Sequence, residues 1–148
     1  MTHLTLAHPD DLDRLCRLVT DAHAERGIDQ TDEARRAGLA PLLESSPHGA
    51  VYLIGPGRAP IGYIIVTFSW SVALGGMTGT VDEINIRPGV RGRGIGTEVL
   101  TNLPKALASA GLMALHAETG AADTRAQGFF ARLRFEPREG AVRMTRRL

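Results

Sequence analysis

The chain has 148 residues, a formal net charge of +1, 43% hydrophobic residues and 22% charged residues. That length predicts one domain spanning residues 1–148 with a substantial core, and the near-neutral, mixed charge offers no field for nucleic acid or a membrane surface. Cys16 is the single cysteine, so neither a disulfide framework nor a cysteine-based zinc cluster is available, and a helix-core role fits it best. The residues after Met1 lack the basic region and long apolar run of a signal peptide, which predicts a cytoplasmic protein. No stretch approaches the length of a membrane span. Seventeen residues are basic, and all but Lys105 are arginine, a side chain suited to bidentate anion contacts.

In chain order, His3 to Ala7 is predicted as a short strand, followed by turn and cap chemistry at Pro9-Asp10-Asp11. Leu12, Leu15, Cys16, Val19 and Ala22 recur at helical spacing up to a stop at Gly27. A weaker helical pattern covers Thr31 to Glu44, with a break near Pro41. Gly49 to Gly55 and Ile61 to Val72 read as strands joined by the Gly55-Pro56-Gly57 turn. Gly75 and Gly76 open the next turn, and another strand starts near Thr80 and ends at Pro88. A helix follows from about Ile95, with Val99, Leu100 and Leu103 on one face, and Gly111 ends it. Leu112 to Glu118 is predicted as a strand, Asp123 to Leu133 as a helix, Phe135–Pro137 as a short extended piece, and Ala141 to Arg147 as a last strand. The order βααβββαβαββ implies a mixed α/β sheet with helices on both faces. The crossover through the fourth strand's helix should form a right-handed parallel unit.

The stretch Val81 to Leu100 carries the chemistry. A strand enters a turn with Arg91, Gly92, Arg93, Gly94, Ile95 and Gly96, and a helix leaves it. Such a turn aims backbone N–H groups at one spot, where a phosphate can sit. The spacing fits neither the dinucleotide fingerprint nor the P-loop, which makes a nucleotide-binding regulatory domain a poor match. Arg91-Gly92-Arg93-Gly94-Ile95-Gly96 resembles the acetyl-CoA signature Arg/Gln-x-x-Gly-x-Gly/Ala of the GCN5-related N-acetyltransferases. The resemblance covers most of the chain beyond about residue 50. It implies the acyl-CoA N-acyltransferase fold, a mostly antiparallel central sheet with one parallel, splayed strand pair. It also implies acetyl-CoA as co-substrate, with no metal. The backbone of Ile84, Ile86 and Arg87 would meet the acetyl-pantetheine end, and amides from Arg91 through Gly92, Arg93, Gly94, Ile95 and Gly96 to Thr97 would cradle the pyrophosphate. Arg91 is favoured for a charged contact, with Arg93 on the rim.

Asp123 to Phe135 is similar to the family segment Asn-x-x-Ala-x-x-Phe-Tyr-x-x-Leu-Gly-Phe. Asp123 stands for the asparagine, Phe130 for the tyrosine whose hydroxyl can protonate the leaving thiolate, and Arg134 for the glycine before Phe135. Asp123 and Phe130 are thereby implied to border the cofactor, and a phenyl ring cannot donate a proton. Either water or another residue serves instead, or the chain is a slow or non-catalytic acyl-CoA binding module.

Transfer to an amine needs a proton acceptor. Glu83 is the favoured general base because the family often carries a glutamate near there, and strand alternation would let only one of Asp82 and Glu83 face the site. His116 is a second candidate base; with Glu118 it shares one strand face. Asp82, Glu118, Phe68 and Trp70 are candidate substrate contacts, joined by Tyr63. A small-molecule or peptide amine is the expected acceptor, and a homodimer through pairing of the Val142–Leu148 strand is compatible with the sequence.

Overall fold

A computed structural model describes residues 2–148, which resolve into two compact units, one ending at Glu118 and the other spanning Thr119–Leu148. In the first unit the elements run β1 (Leu4–Leu6), α1 (Leu12–Arg26), α2 (Asp32–Leu39), β2 (Gly49–Ile54), β3 (Gly62–Ser71), β4 (Gly76–Ile86), α3 (Ile95–Ser109) and β5 (Ala114–Ala117). Ladder bonds from Ala7 N to Val51 O and from Gly55 N to His3 O carry β1 pairing to both ends of the expected strand. The sheet order is β1-β2-β3-β4-β5. Every pair is antiparallel except β4 with β5, which is parallel. The expected mixed, mostly antiparallel sheet with flanking helices is therefore present.

The helices follow the apolar spacing. Leu15, Cys16, Val19 and Ala22 of α1 are buried together with Val51, Leu53, Tyr63 and Ile65 of the sheet and with Leu39 and Leu43. Cys16 is thus a core residue, 2% exposed, and its burial raises the thiol pKa. Gly27, at φ 69°, ends α1 in the left-handed conformation, with Ile28 N donating to His23 O and Gly27 N to Ala24 O. Thr31 caps α2 by accepting from Ala34 N, and the pattern breaks at Ala40–Leu43, a 3₁₀ turn containing Pro41. By strand alternation Ile54, Ile64 and Val66 project to the opposite face. α3 buries Val99, Leu100, Leu103 and Leu107.

The second unit contains α4 (Thr124–Arg132). Two strand expectations fail here: residues 135–137 and 141–147 form no strand. Val142 and Met144 are 84% and 91% exposed. An alternation of only two apolar residues among arginines buries too little to hold a strand within a single chain.

Arg134 takes φ 69°. It closes α4 with Arg134 N donating to Ala131 O and Phe135 N to Phe130 O, the arrangement in which glycine is usual. The left-handed region costs a side chain about 1–2 kcal/mol. Arg134→Gly is therefore expected to stabilise the chain by about 0.5–1 kcal/mol after glycine's greater unfolded-state entropy is counted. Thermal unfolding should show a Tm about 1–4 °C higher. An unchanged or lower Tm would count against strain at this cap.

Candidate active site

The site begins with a misfit in β4. Ile65 of β3 opposes Glu83, but Val66 opposes Val81, so Asp82 is an extra residue and β4 carries a bulge there. The bulge overturns the expectation that Asp82 and Glu83 face opposite ways: both line one cleft of about 180 Å³ between α1, α2 and the sheet. It also lies where the parallel ladder stops. β5 pairs with β4 only from Thr78↔Ala114 to Val81↔Ala117, whereas β4 continues to Ile86.

Beyond that point β4 has an open edge. Arg87 N donates to Ile61 O, so in an antiparallel ladder the backbone groups of alternate residues turn towards β3 and those of Ile84 and Ile86 turn away from it. The Ile86 carbonyl accepts from Arg91 Nε at 2.6 Å. The N–H and C=O of Ile84 and the N–H of Ile86 remain to pair with an extended ligand. Arg87 differs from its expected role: its N–H serves Ile61 and its carbonyl accepts from Val90 N.

At the end of β4 the chain passes through the Pro88–Val90 3₁₀ turn to α3. Gly92 and Gly94 have φ 76° and 77°, the left-handed backbone that lets this turn fold back on itself. Gly94 is the N-cap, and the first helical bond runs from Glu98 N to Gly94 O. The N–H groups of Ile95, Gly96 and Thr97 therefore have no helical acceptor, the arrangement that suits an anion.

The two motif arginines stand in different surroundings. Arg91 Nη1 and Nη2 donate to Glu25 Oε1 and Oε2 at 2.5 and 2.8 Å. With its bond to Ile86, Arg91 clamps the turn to α1 and β4. Arg93 is exposed and, among the described residues, has no ion-pair partner.

In the cleft, Glu83 is held from below. Tyr63 OH donates to Glu83 Oε1 at 2.8 Å, His23 Nε2 lies 3.0 Å from both carboxylate oxygens, and Arg26 Nη1 stands 3.7 Å from Oε1. Tyr63 is fully buried. Burial, then the charge of Glu83, push its phenol pKa up, so it stays a donor. His23 is 5% exposed, and its Nδ1 is buried without a partner. Asp82 keeps a solvent-exposed edge. Its pKa is nevertheless raised, chiefly by burial and then by the charge of Glu83, against Arg26 and His23. Among the described residues no donor or cation binds the Asp82 carboxylate.

Other expected contacts lie elsewhere. Phe68 and Trp70 project from the face shared with Ile64 and Val66, opposite the one bearing Tyr63 and Ile65. Trp70 is 71% exposed, opposite Met77 near the hairpin end. His116 is exposed on the edge strand β5, opposite Thr80. Glu118 lies just past β5. Neither lines the cleft. In the second unit Asp123 Oδ1 accepts from Ala126 N at 3.0 Å and caps α4. Phe130 packs edge-on against Phe129 and Phe135, with ring centroids 5.2 and 5.1 Å apart. Among the described residues no group of three or more His, Cys, Asp or Glu converges as a metal site would, and no helix is long and apolar enough to cross a membrane.

Comparison with known proteins agrees with this geometry. The chain is 30% identical to an integron cassette protein from the mobile metagenome of Cole Harbour Salt Marsh, covering 98% of this chain and 90% of that one, with a TM-score of 0.84. The same fold occurs in the ribosomal-protein-alanine N-acetyltransferase of Brucella melitensis biovar Abortus 2308, 14% identical over 99% of each chain with a TM-score of 0.78. It occurs too in an aminoglycoside acetyltransferase from an uncultured soil metagenomic sample, solved with sisomicin, 14% identical over 99% of this chain and 96% of that one with a TM-score of 0.82. A search of curated proteins gives no match. The model of the acetyltransferase (GNAT) family matches residues 12–135, and the chain belongs to that family.

Proposed function

We propose that the chain transfers the acetyl group of acetyl-CoA to a primary amine by direct attack in a ternary complex. The observation that carries this reading is the adjacency, on one strand, of an open pairing edge at Ile84 and Ile86 and an anionic cleft at Asp82 and Glu83. Ile84 and Ile86 would hold the pantetheine amides as an added strand does, and the first-turn amides of α3 with Arg93 would hold the pyrophosphate. Acetyl-CoA would supply an activated thioester carbon.

The roles within the acidic pair follow from their partners. The Glu83 oxygens are already engaged by Tyr63 and His23, so this carboxylate serves as a fixed negative charge. Asp82 has no such donors and a raised pKa, the properties of a proton acceptor. An ammonium entering the cleft gives one proton to Asp82, which passes it to solvent. The amine nitrogen then attacks the thioester carbon, the C–N bond forms and the C–S bond breaks. The second amine proton balances the departing thiolate, and a thiolate leaves readily enough for water to protonate it. The phenyl ring at Phe130, which has no acidic hydrogen, favours one other reading, a non-catalytic acyl-CoA binding module.

Calorimetry with acetyl-CoA, followed by thiol release against a panel of primary amines, separates the two. Binding with amine-dependent release is the expected result. Binding without release from any amine would favour the binding module, and no binding would overturn both.

A further inference from the structure

α2 carries two adjacent arginines in opposite situations. Arg36 is exposed and has two carboxylates, Asp32 Oδ2 at 3.0 Å and Asp13 Oδ1 at 2.7 Å. Arg35 is 7% exposed and, among the described residues, has none. Its single hydrogen bond runs from Nη2 to the Gln30 carbonyl at 3.0 Å, and its Nε is buried with no partner. A guanidinium out of water without a counter-ion is costly unless something else supplies the charge. Arg35 shares its buried face with Leu39, four residues on, and lines the same cleft as Asp82 and Glu83. The cleft therefore has an unpaired cation on its helical wall and two carboxylates on its sheet wall, and no ion pair joins them.

We propose that the acceptor is a small amino carboxylate, its carboxylate bound by Arg35 and its amine beside Asp82 and Glu83. This rests on the acetyl-transfer reading and names the substrate class of that site. A zwitterion matches both walls at once, and its carboxylate supplies the charge that Arg35 lacks. Size agrees. A cleft of about 180 Å³ falls below the ~300 Å³ lower bound usual for drug-sized ligands. Free amino acids with the amine α, β or γ to the carboxylate are of this size. The product is the N-acetyl amino acid, formed with the bond changes and proton transfers given above.

The test compares matched acceptors in the wild-type protein: alanine, serine and γ-aminobutyrate, their carboxamides, and the corresponding amines without the carboxylate, within a panel that includes all the common amino acids. The expected result is a kcat/KM at least tenfold higher for carboxylate-bearing acceptors, and loss of that preference in Arg35→Gln. Equal rates for acids and carboxamides in the wild type would overturn the proposal, and this comparison stands even if the buried variant fails to fold. A preference that survives in folded Arg35→Gln would also overturn it, as would acetyl-CoA binding without release from any amino acid. Release from amines regardless of carboxylate sinks only the substrate class. Absence of acetyl-CoA binding by calorimetry sinks the acetyl-transfer reading with it.

Discussion

Asp82→Asn is expected to lower kcat/KM for amine acetylation by about 100-fold while leaving acetyl-CoA affinity near that of the wild type. An asparagine keeps the size of the side chain but cannot take a proton. The pH profile then assigns the roles within the acidic pair. The raised Asp82 pKa means that kcat/KM in the wild type should fall as pH drops through a pKa higher than that of a free aspartate, because the protonated form cannot accept. Burial is the largest cause of the rise and the charge of Glu83 the next, with Arg26 and His23 opposing. Glu83→Gln removes a raising cause, so the acid limb should move to lower pH while the limiting rate falls by tenfold or less. Were Glu83 itself the base, Glu83→Gln would abolish the limb and Asp82→Asn would leave the rate high. Initial rates of thiol release between about pH 4 and pH 9, measured for both variants and the wild type, separate the cases.

Much of the fold was legible because its elements obey simple periods. The α1 stripe from Leu12 to Ala22, the turn at Gly55-Pro56-Gly57 and the strand–turn–helix of the motif each follow local rules, and the structure keeps them. What the sequence hid is what depends on registry between distant segments. Nothing in Val81-Asp82-Glu83 announces a bulge, so alternation separated two carboxylates that the structure brings into one cleft. The acceptor for Arg91 is Glu25, 66 residues away, and only the packing of α1 beside the motif turn shows that Arg91 is a clamp. His23 and Arg35 did leave a trace: each continues an apolar helical stripe, after Cys16 and Val19 in one case and before Leu39 and Leu42 in the other. A polar side chain at an apolar register is a buried group that needs a partner. Phe68 and Trp70 differ from Tyr63 and Ile65 by odd steps along β3, so alternation itself puts them on the other face.

The second large effect is expected at Gly94. At φ 77° this residue is the N-cap of α3, and a valine there meets a conformational cost of at least ~1–2 kcal/mol. No atom beyond the adjoining residues lies within 4 Å of where a Cβ would stand, so the side chain itself has room and the penalty comes from the backbone. The turn relieves it by rotating Gly94 towards negative φ, which re-aims the N–H groups of Ile95, Gly96 and Thr97. Charge-assisted hydrogen bonds contribute about 1.5–3 kcal/mol each, and 1.4 kcal/mol corresponds to about tenfold in affinity. Gly94→Val should therefore weaken acetyl-CoA binding by about 10- to 100-fold. S-acetylpantetheine, which lacks the pyrophosphate, separates a lost phosphate cradle from a damaged fold: its turnover should be unchanged in the variant, because the β4 edge at Ile84 and Ile86 is untouched. Calorimetry with acetyl-CoA and thiol release from S-acetylpantetheine measure the two halves. Full acetyl-CoA affinity in folded Gly94→Val would remove the pyrophosphate from the α3 N-terminus. Equal losses for both compounds would show that the motif turn shapes the whole site.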